Sequence, residues 1–153
     1  MDQQNVVMII HPNLKTAHNR FTDEDIRNNY PSFVLFPQYP HGNQWMNARR
    51  FITSSVIDLL PTPTITTQLL LNLIDDLTRS YPVDASRFYL AGISMGGFGV
   101  WDIISRLPEK FAAAVPVCGG DDTKFADKIK LSLFHCGLLT VIPMILFQQN
   151  YRK

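Results

Sequence analysis

One stretch constrains this chain more than any other: Gly92-Ile93-Ser94-Met95-Gly96, entered from Arg87-Phe88-Tyr89-Leu90-Ala91. A short apolar run leads into a serine that has glycine two places before it and two after. The pattern predicts a strand ending near Ala91, a sharp turn carrying Ser94, and a helix starting near Met95. The flanking glycines leave room for a tight turn with the serine side chain projecting outward. The backbone N–H of Met95 would then stand at a helix N-terminus, where negative charge is favoured. The geometry suits a serine nucleophile facing an oxyanion donor.

The rest of the chain reads as strands alternating with helices. Val6 to Ile10 is a continuous apolar run, as in a strand buried on both faces. Thr22-Asp23-Glu24-Asp25-Ile26 looks like a capped short helix, and Ser32 to Phe36 like a second strand. Pro37 to Asn47 is a loop. After Pro61-Thr62-Pro63-Thr64, residues Leu69, Leu70, Leu73, Ile74, Leu77 and Tyr81 recur at helical spacing, with Thr66 or Thr67 as the cap. A helix from Met95 to Leu107 is closed by Pro108. Ala112 to Val117 forms a third core strand, Asp122 to Ile129 a short helix, and Leu131 to His135 a further strand. This alternation places the chain in the α/β class, with a parallel doubly wound sheet and the site at the carboxyl ends of its strands.

Composition narrows the possible partners. A chain of 153 residues, 46% of them hydrophobic, is expected to form one domain. A formal net charge of +1 with scattered basic residues gives no reason to expect nucleic acid. The N-terminus is polar and acidic, unlike a signal peptide, and localisation stays open. The apolar tail Leu138 to Phe147 is about half the roughly 20 residues of a membrane-spanning helix. It suits self-association better than a solvated helix. Cys118 and Cys136 are the only cysteines and read as two buried or half-buried free thiols.

Three segments together are specific enough to carry a resemblance. They are Tyr81-Pro-Val-Asp, then Arg87 through Asp102, then Phe111-Ala-Ala-Ala-Val-Pro-Val-Cys-Gly-Gly. They resemble the esterase group of the α/β-hydrolases, including phospholipase/carboxylesterase, feruloyl esterase, polyhydroxybutyrate depolymerase-like and predicted peptidase proteins. Tyr30 to Pro40 with Trp45 resembles the same group's earlier strand and loop. The resemblance implies a carboxylic-ester hydrolase acting on a small ester, with Ser94 as nucleophile and Met95 N–H as oxyanion donor. It implies no metal and no organic cofactor, and its members are often exported.

The sequence also departs from the family. After the strand expected to end at His135, the family has an aspartate as triad acid, and Leu139 stands at that position. Cys136 replaces a glycine. Pro12 stands where the oxyanion loop following His11 would have glycine, and proline has no N–H to donate. The family's first strands precede the part matched here, and its base histidine would lie beyond Lys153. The expectation is therefore a truncated α/β-hydrolase core whose isolated chain turns over activated aryl esters barely above background. Two other readings are a non-catalytic module that keeps a pocket for a ligand or partner, and a piece completed by another chain or altered by a frameshift near residue 136.

Other residues have simpler explanations. His135 with Ser94 and Asp121 or Asp122 would give a triad in the right chain order. The family pattern instead makes His135 a structural residue at a strand end, while Asp121 and Asp122, following Gly119-Gly120 at a strand end, read more simply as a helix N-cap. His11 reads as structural, and His18 and His41 as loop residues. Trp45 and Trp101 suit packing, and Asp102 suits a favourable charge near a helix N-terminus.

Overall fold

Apolar runs that cannot be solvated on either side set the sheet. The computed structural model describes residues 4–10, 23–50 and 57–133. Its elements run β1 (Gln4–Ile10), α1 (Glu24–Asn29), β2 (Ser32–Leu35), β3 (Ala48–Arg50), β4 (Ile57–Leu59), α2 (Ile65–Ser80), β5 (Val83–Ile93), α3 (Met95–Arg106), β6 (Ala113–Val117) and α4 (Ala126–Leu133). Short 3-10 turns occupy Pro108–Lys110 and Thr123–Phe125. Four strands form a parallel sheet in the order β2-β1-β5-β6, while β3 and β4 pair antiparallel as a separate ribbon.

The chain leaves β1 for β2 on one side and returns to β5 on the other. Such a reversal opens a crevice at the carboxyl ends of the two central strands. Ser94 follows β5 directly, so topology alone brings it to that crevice.

Register decides which side chains are buried. Val6 lies opposite Phe88, Met8 opposite Leu90 and Ile10 opposite Gly92. Leu90 in turn lies opposite Ala114, and Gly92 opposite Pro116. All of these are buried. Leu70 and Ile74 of α2, and Val100, Ile103 and Ile104 of α3, join the same cluster. Each large apolar side chain buried here contributes about 1.5–3 kcal/mol. The alternating set Val7, Tyr89, Ala91, Ala113 and Val115 is half-buried.

Several expectations need correction. The cap of α2 is Thr64, whose side chain accepts the Thr67 N–H at 3.1 Å. Thr66 and Thr67 are buried inside the first turn, and the Thr67 hydroxyl donates to the Trp45 carbonyl at 2.6 Å. Of the apolar residues at helical spacing on α2, Leu69 and Leu73 face outward and Tyr81 is the exposed C-cap. Asp23 is the N-cap of α1 but makes no side-chain capping bond.

Leu131 to Leu133 belong to α4 and not to a strand. The run Lys128-Ile129-Lys130-Leu131-Ser132-Leu133 alternates apolar and polar, which favours a strand by pattern. Ala126, Lys128 and Lys130 are good helix formers, and Ile129 is buried in the core cluster. His135 lies outside the described residues. Cys118 is exposed rather than buried, because it sits in a left-handed turn just past the end of β6.

Candidate active site

Ser94 occupies a one-residue turn between β5 and α3, with φ 55° and ψ −116°. That backbone region is unfavourable for a residue with a Cβ and costs of order 1–3 kcal/mol. Neighbouring contacts hold it there. The Ser94 N–H donates to the Val117 carbonyl at 2.8 Å, and the Ser94 carbonyl accepts the Phe98 N–H at 3.0 Å. Cys118 lies alongside in register, since Ile93 pairs with Val117, and it adopts φ 54°. Two adjacent strands thus end in matching left-handed turns.

Glycine makes the close packing beneath Ser94 possible. A Cβ on Gly92 would strike the Gly96 carbonyl, and one on Gly96 would strike the Ile10 carbonyl. The first turn of α3 can therefore sit directly on the ends of β1 and β5. The Met95 N–H is in the first turn of this 12-residue helix, where N–H groups have no intrahelical partner. Ser94 and Met95 are both exposed. Among the described residues the Ser94 hydroxyl has no hydrogen-bond partner.

Ser94 opens into a pocket of about 390 Å³ lined by Gln44, Met46, Ala48, Met95 and Phe98. Gln44, Met46 and Ala48, two residues apart in sequence, all reach the pocket. Trp45, between them, is buried in the core and meets Tyr39 edge to face. This wall was missed in the sequence, although the spacing of two was visible there.

The wall is fastened to α3 by a buried ion pair. Asp102 is fully buried, and Arg106 reaches its two oxygens at 3.0 and 2.9 Å. Arg106 also donates to the carbonyls of Pro61 at 2.7 Å and Leu60 at 2.8 Å. Asp102 accepts the backbone N–H of Asn47 as well. Burial raises the Asp102 pKa, and the bond from Arg106 opposes that rise. Asp102 is thus a structural clamp, where the sequence suggested a charge favoured by the helix end.

Asp121 and Asp122 are engaged by other partners. Asp121 takes a hydrogen bond from the Ser105 hydroxyl, and its other oxygen is buried with no partner among the described residues. Burial pushes its carboxyl up to about 6, against the bonds from Ser105 and the Asp122 N–H. Asp122 accepts from the Lys124 N–H at 3.0 Å, capping the Thr123–Phe125 turn, and from the Leu59 N–H at 3.2 Å. Trp45 and Trp101 are packed in the core. His41 is exposed on the Pro37 to Asn47 loop. His11, Pro12, His18, His135, Cys136 and Leu139 lie outside the described residues. The described residues contain no group of three or more His, Cys, Asp or Glu able to hold a metal, and no helix long and apolar enough to cross a membrane.

No protein-family model matches the chain. Over 71 residues it is 35% identical to the bifunctional acetylxylan esterase/xylanase XynS20E of Neocallimastix patriciarum, covering 45% of this chain and 10% of that protein. Over 93 residues it is 25% identical to poly(3-hydroxyalkanoate) depolymerase C of Paucimonas lemoignei, covering 61% of this chain and 22% of the relative. The crystal structure of a thermostable esterase superposes with a TM-score of 0.68 at 29% identity, over 84% of this chain and 36% of the other. The chain therefore spans only a minor part of each of these proteins. With its parallel sheet, its strand–serine–helix turn and these relatives, the chain is α/β-hydrolase-like and resembles esterases.

Proposed function

We propose that the chain carries the nucleophile half of a carboxylic-ester hydrolase, with Ser94 as the acyl acceptor and Met95 N–H as an oxyanion donor. The observation that supports this most is Ser94 itself. It is exposed at φ 55°, at the head of a helix and at the mouth of a pocket. In the proposed reaction the Ser94 oxygen attacks the ester carbonyl and its proton passes to a base. The alcohol then leaves, and water releases the acid from the acyl-enzyme. His135 is the base that the sequence offers. The relatives named above include an esterase and a depolymerase, which supports an ester as substrate.

Turnover is expected to be slow, because Leu139 stands where the family has its acid. Loss of triad members in well-studied proteases leaves about 10³–10⁴-fold acceleration over water. The test is hydrolysis of p-nitrophenyl acetate by the chain and by Ser94→Ala at matched concentration. A small rate lost on Ser94→Ala supports the proposal, and identical rates contradict it. The Leu139 position also motivates a second reading, a pocket that binds without catalysis. That reading gains if both proteins are inert yet still bind a pocket ligand.

A further inference from the structure

The segment that follows β6 is fastened to α3 at two places. The first is bare backbone. A Cβ on Gly97 would come within 2.4 Å of the Val117 carbonyl oxygen, and one on Gly119 within 2.3 Å of the Gly97 carbonyl carbon. The second is a side-chain bond, from the Ser105 hydroxyl to Asp121. Gly97, Trp101 and Ser105 succeed one another at intervals of four, along one side of α3. The same segment holds the nucleophile turn, because the Val117 carbonyl accepts the Ser94 N–H at 2.8 Å. The short stretch from Val117 to Asp121 therefore joins Ser94 to a buried carboxyl.

Among the described residues, no cation compensates a charge on Asp121. Its second oxygen is buried without a partner there. The charged groups acting on it are Asp102 of α3 and Asp122 of its own segment, both acidic, and α4 supplies none. Arg106 is taken up by Asp102 and two carbonyls, and Lys124 by Asp58 and Asp122. Neutral Asp121 needs only the Ser105 bond to stay packed. Ionised Asp121 meets two like charges in a poorly solvated place, and moving into water relieves both costs. Burial pushes its carboxyl up to about 6, so the two forms exchange places just below neutral pH.

Building on the reading of Ser94 as the nucleophile, we propose that Asp121 is a positioning residue. Protonated, it latches the stretch from Val117 to Asp121 onto α3 and keeps the Ser94 turn closed; ionised, it lets that stretch lift and the Ser94–Val117 bond open. The turn is the element such a release frees, since its φ of 55° is strained and this bond helps to hold it.

The test is hydrogen exchange at the Ser94 amide of the full chain, followed by NMR at about pH 5 and about pH 7. Asp121→Asn, which stays neutral and still accepts from Ser105, is measured alongside. Dividing the parent rate by the variant rate at each pH removes the base catalysis of exchange itself. That ratio is expected to rise about tenfold between the two pH values as Asp121 ionises. Ser105→Ala, which removes the donor, should speed Ser94 exchange about fivefold at the lower pH, where the parent is latched. It also serves if Asp121→Asn fails to fold. A flat ratio at Ser94 would overturn the proposal even if core amides such as that of Leu90 respond, because Asp121 would then support the fold without reaching the nucleophile. Ser94 exchange unchanged by Ser105→Ala would overturn it too. Failure of Ser94 to react with an activated ester would instead count against the proposed nucleophile alone, since exchange needs no chemistry.

Discussion

The two ends of α3 handle polar side chains in opposite ways. At its head, Ser94 is exposed, held in a left-handed turn, and its hydroxyl has no partner among the described residues. Two to three turns on, Asp102, Ser105 and Arg106 are tied to neighbours: Asp102 to Arg106 and Asn47, Ser105 to Asp121, and Arg106 to the Leu60 and Pro61 carbonyls. One helix thus holds a strained group with reach at one end and satisfied, buried groups at the other. The difference separates reactivity from support. A polar group whose bonds are all used inside the protein holds structure, whereas one kept unbonded at a carboxyl edge is available to a ligand.

Breaking the tail should cost most. Asp102→Ala removes a fully buried carboxylate from its pair with the half-buried Arg106 and leaves Arg106 and the Asn47 N–H without it. A loss of about 3–5 kcal/mol is expected in urea unfolding, since the partner charge is left uncompensated. Asp102→Asn, which keeps the shape, should cost less. Equal and small losses for both would show that the pair is not the clamp described.

Asp121 should give a smaller, pH-dependent effect. Its folded pKa of about 6 lies above an unfolded value near 3.9. The folded state therefore holds the proton more tightly, and the contribution of Asp121 to stability falls as pH rises from about 4 to about 6. Above that window the buried charge is a net cost. Asp121→Asn removes the titration and can still accept from Ser105. Its stability relative to the parent should rise across the window, by about 3 kcal/mol at neutral pH. Thermal midpoints at a series of pH values check this, and a difference that stays flat with pH would contradict it.

The smallest effect lies at the head. Ser94→Gly removes the Cβ from a left-handed turn and should stabilise the chain by about 1 kcal/mol, while abolishing any Ser94-dependent chemistry. A destabilising Ser94→Gly would mean that the turn is not strained.

How far this division could be read from the sequence depends on range. The head was legible because glycines spaced around a serine after an apolar strand leave few alternatives. Apolar continuity likewise revealed β1, β5 and β6. The ribbon of β3 and β4 was not legible, because each strand has only three residues and its pairing is set across the chain. Thr64, Thr66 and Thr67 are locally equivalent as caps. The choice among them rests on bonds with the distant Trp45 carbonyl. For Asp102 and Arg106 the helical spacing of four was visible, but their burial was not, since it depends on where Asn47, Leu60 and Pro61 arrive. Asp121 read as a cap because it follows two glycines. Its bond to Ser105 spans two elements and leaves no local sign.

Whether Ser94 is reactive or merely exposed is decided most directly by covalent capture. The chain and its Ser94→Ala variant would each be incubated with a fluorophosphonate and weighed intact, with peptide mapping of any adduct. A single adduct on Ser94 in the parent chain, absent from the variant, is the expected result. An unmodified parent chain, or the same adduct on Ser94→Ala, would contradict a nucleophile at the head of α3.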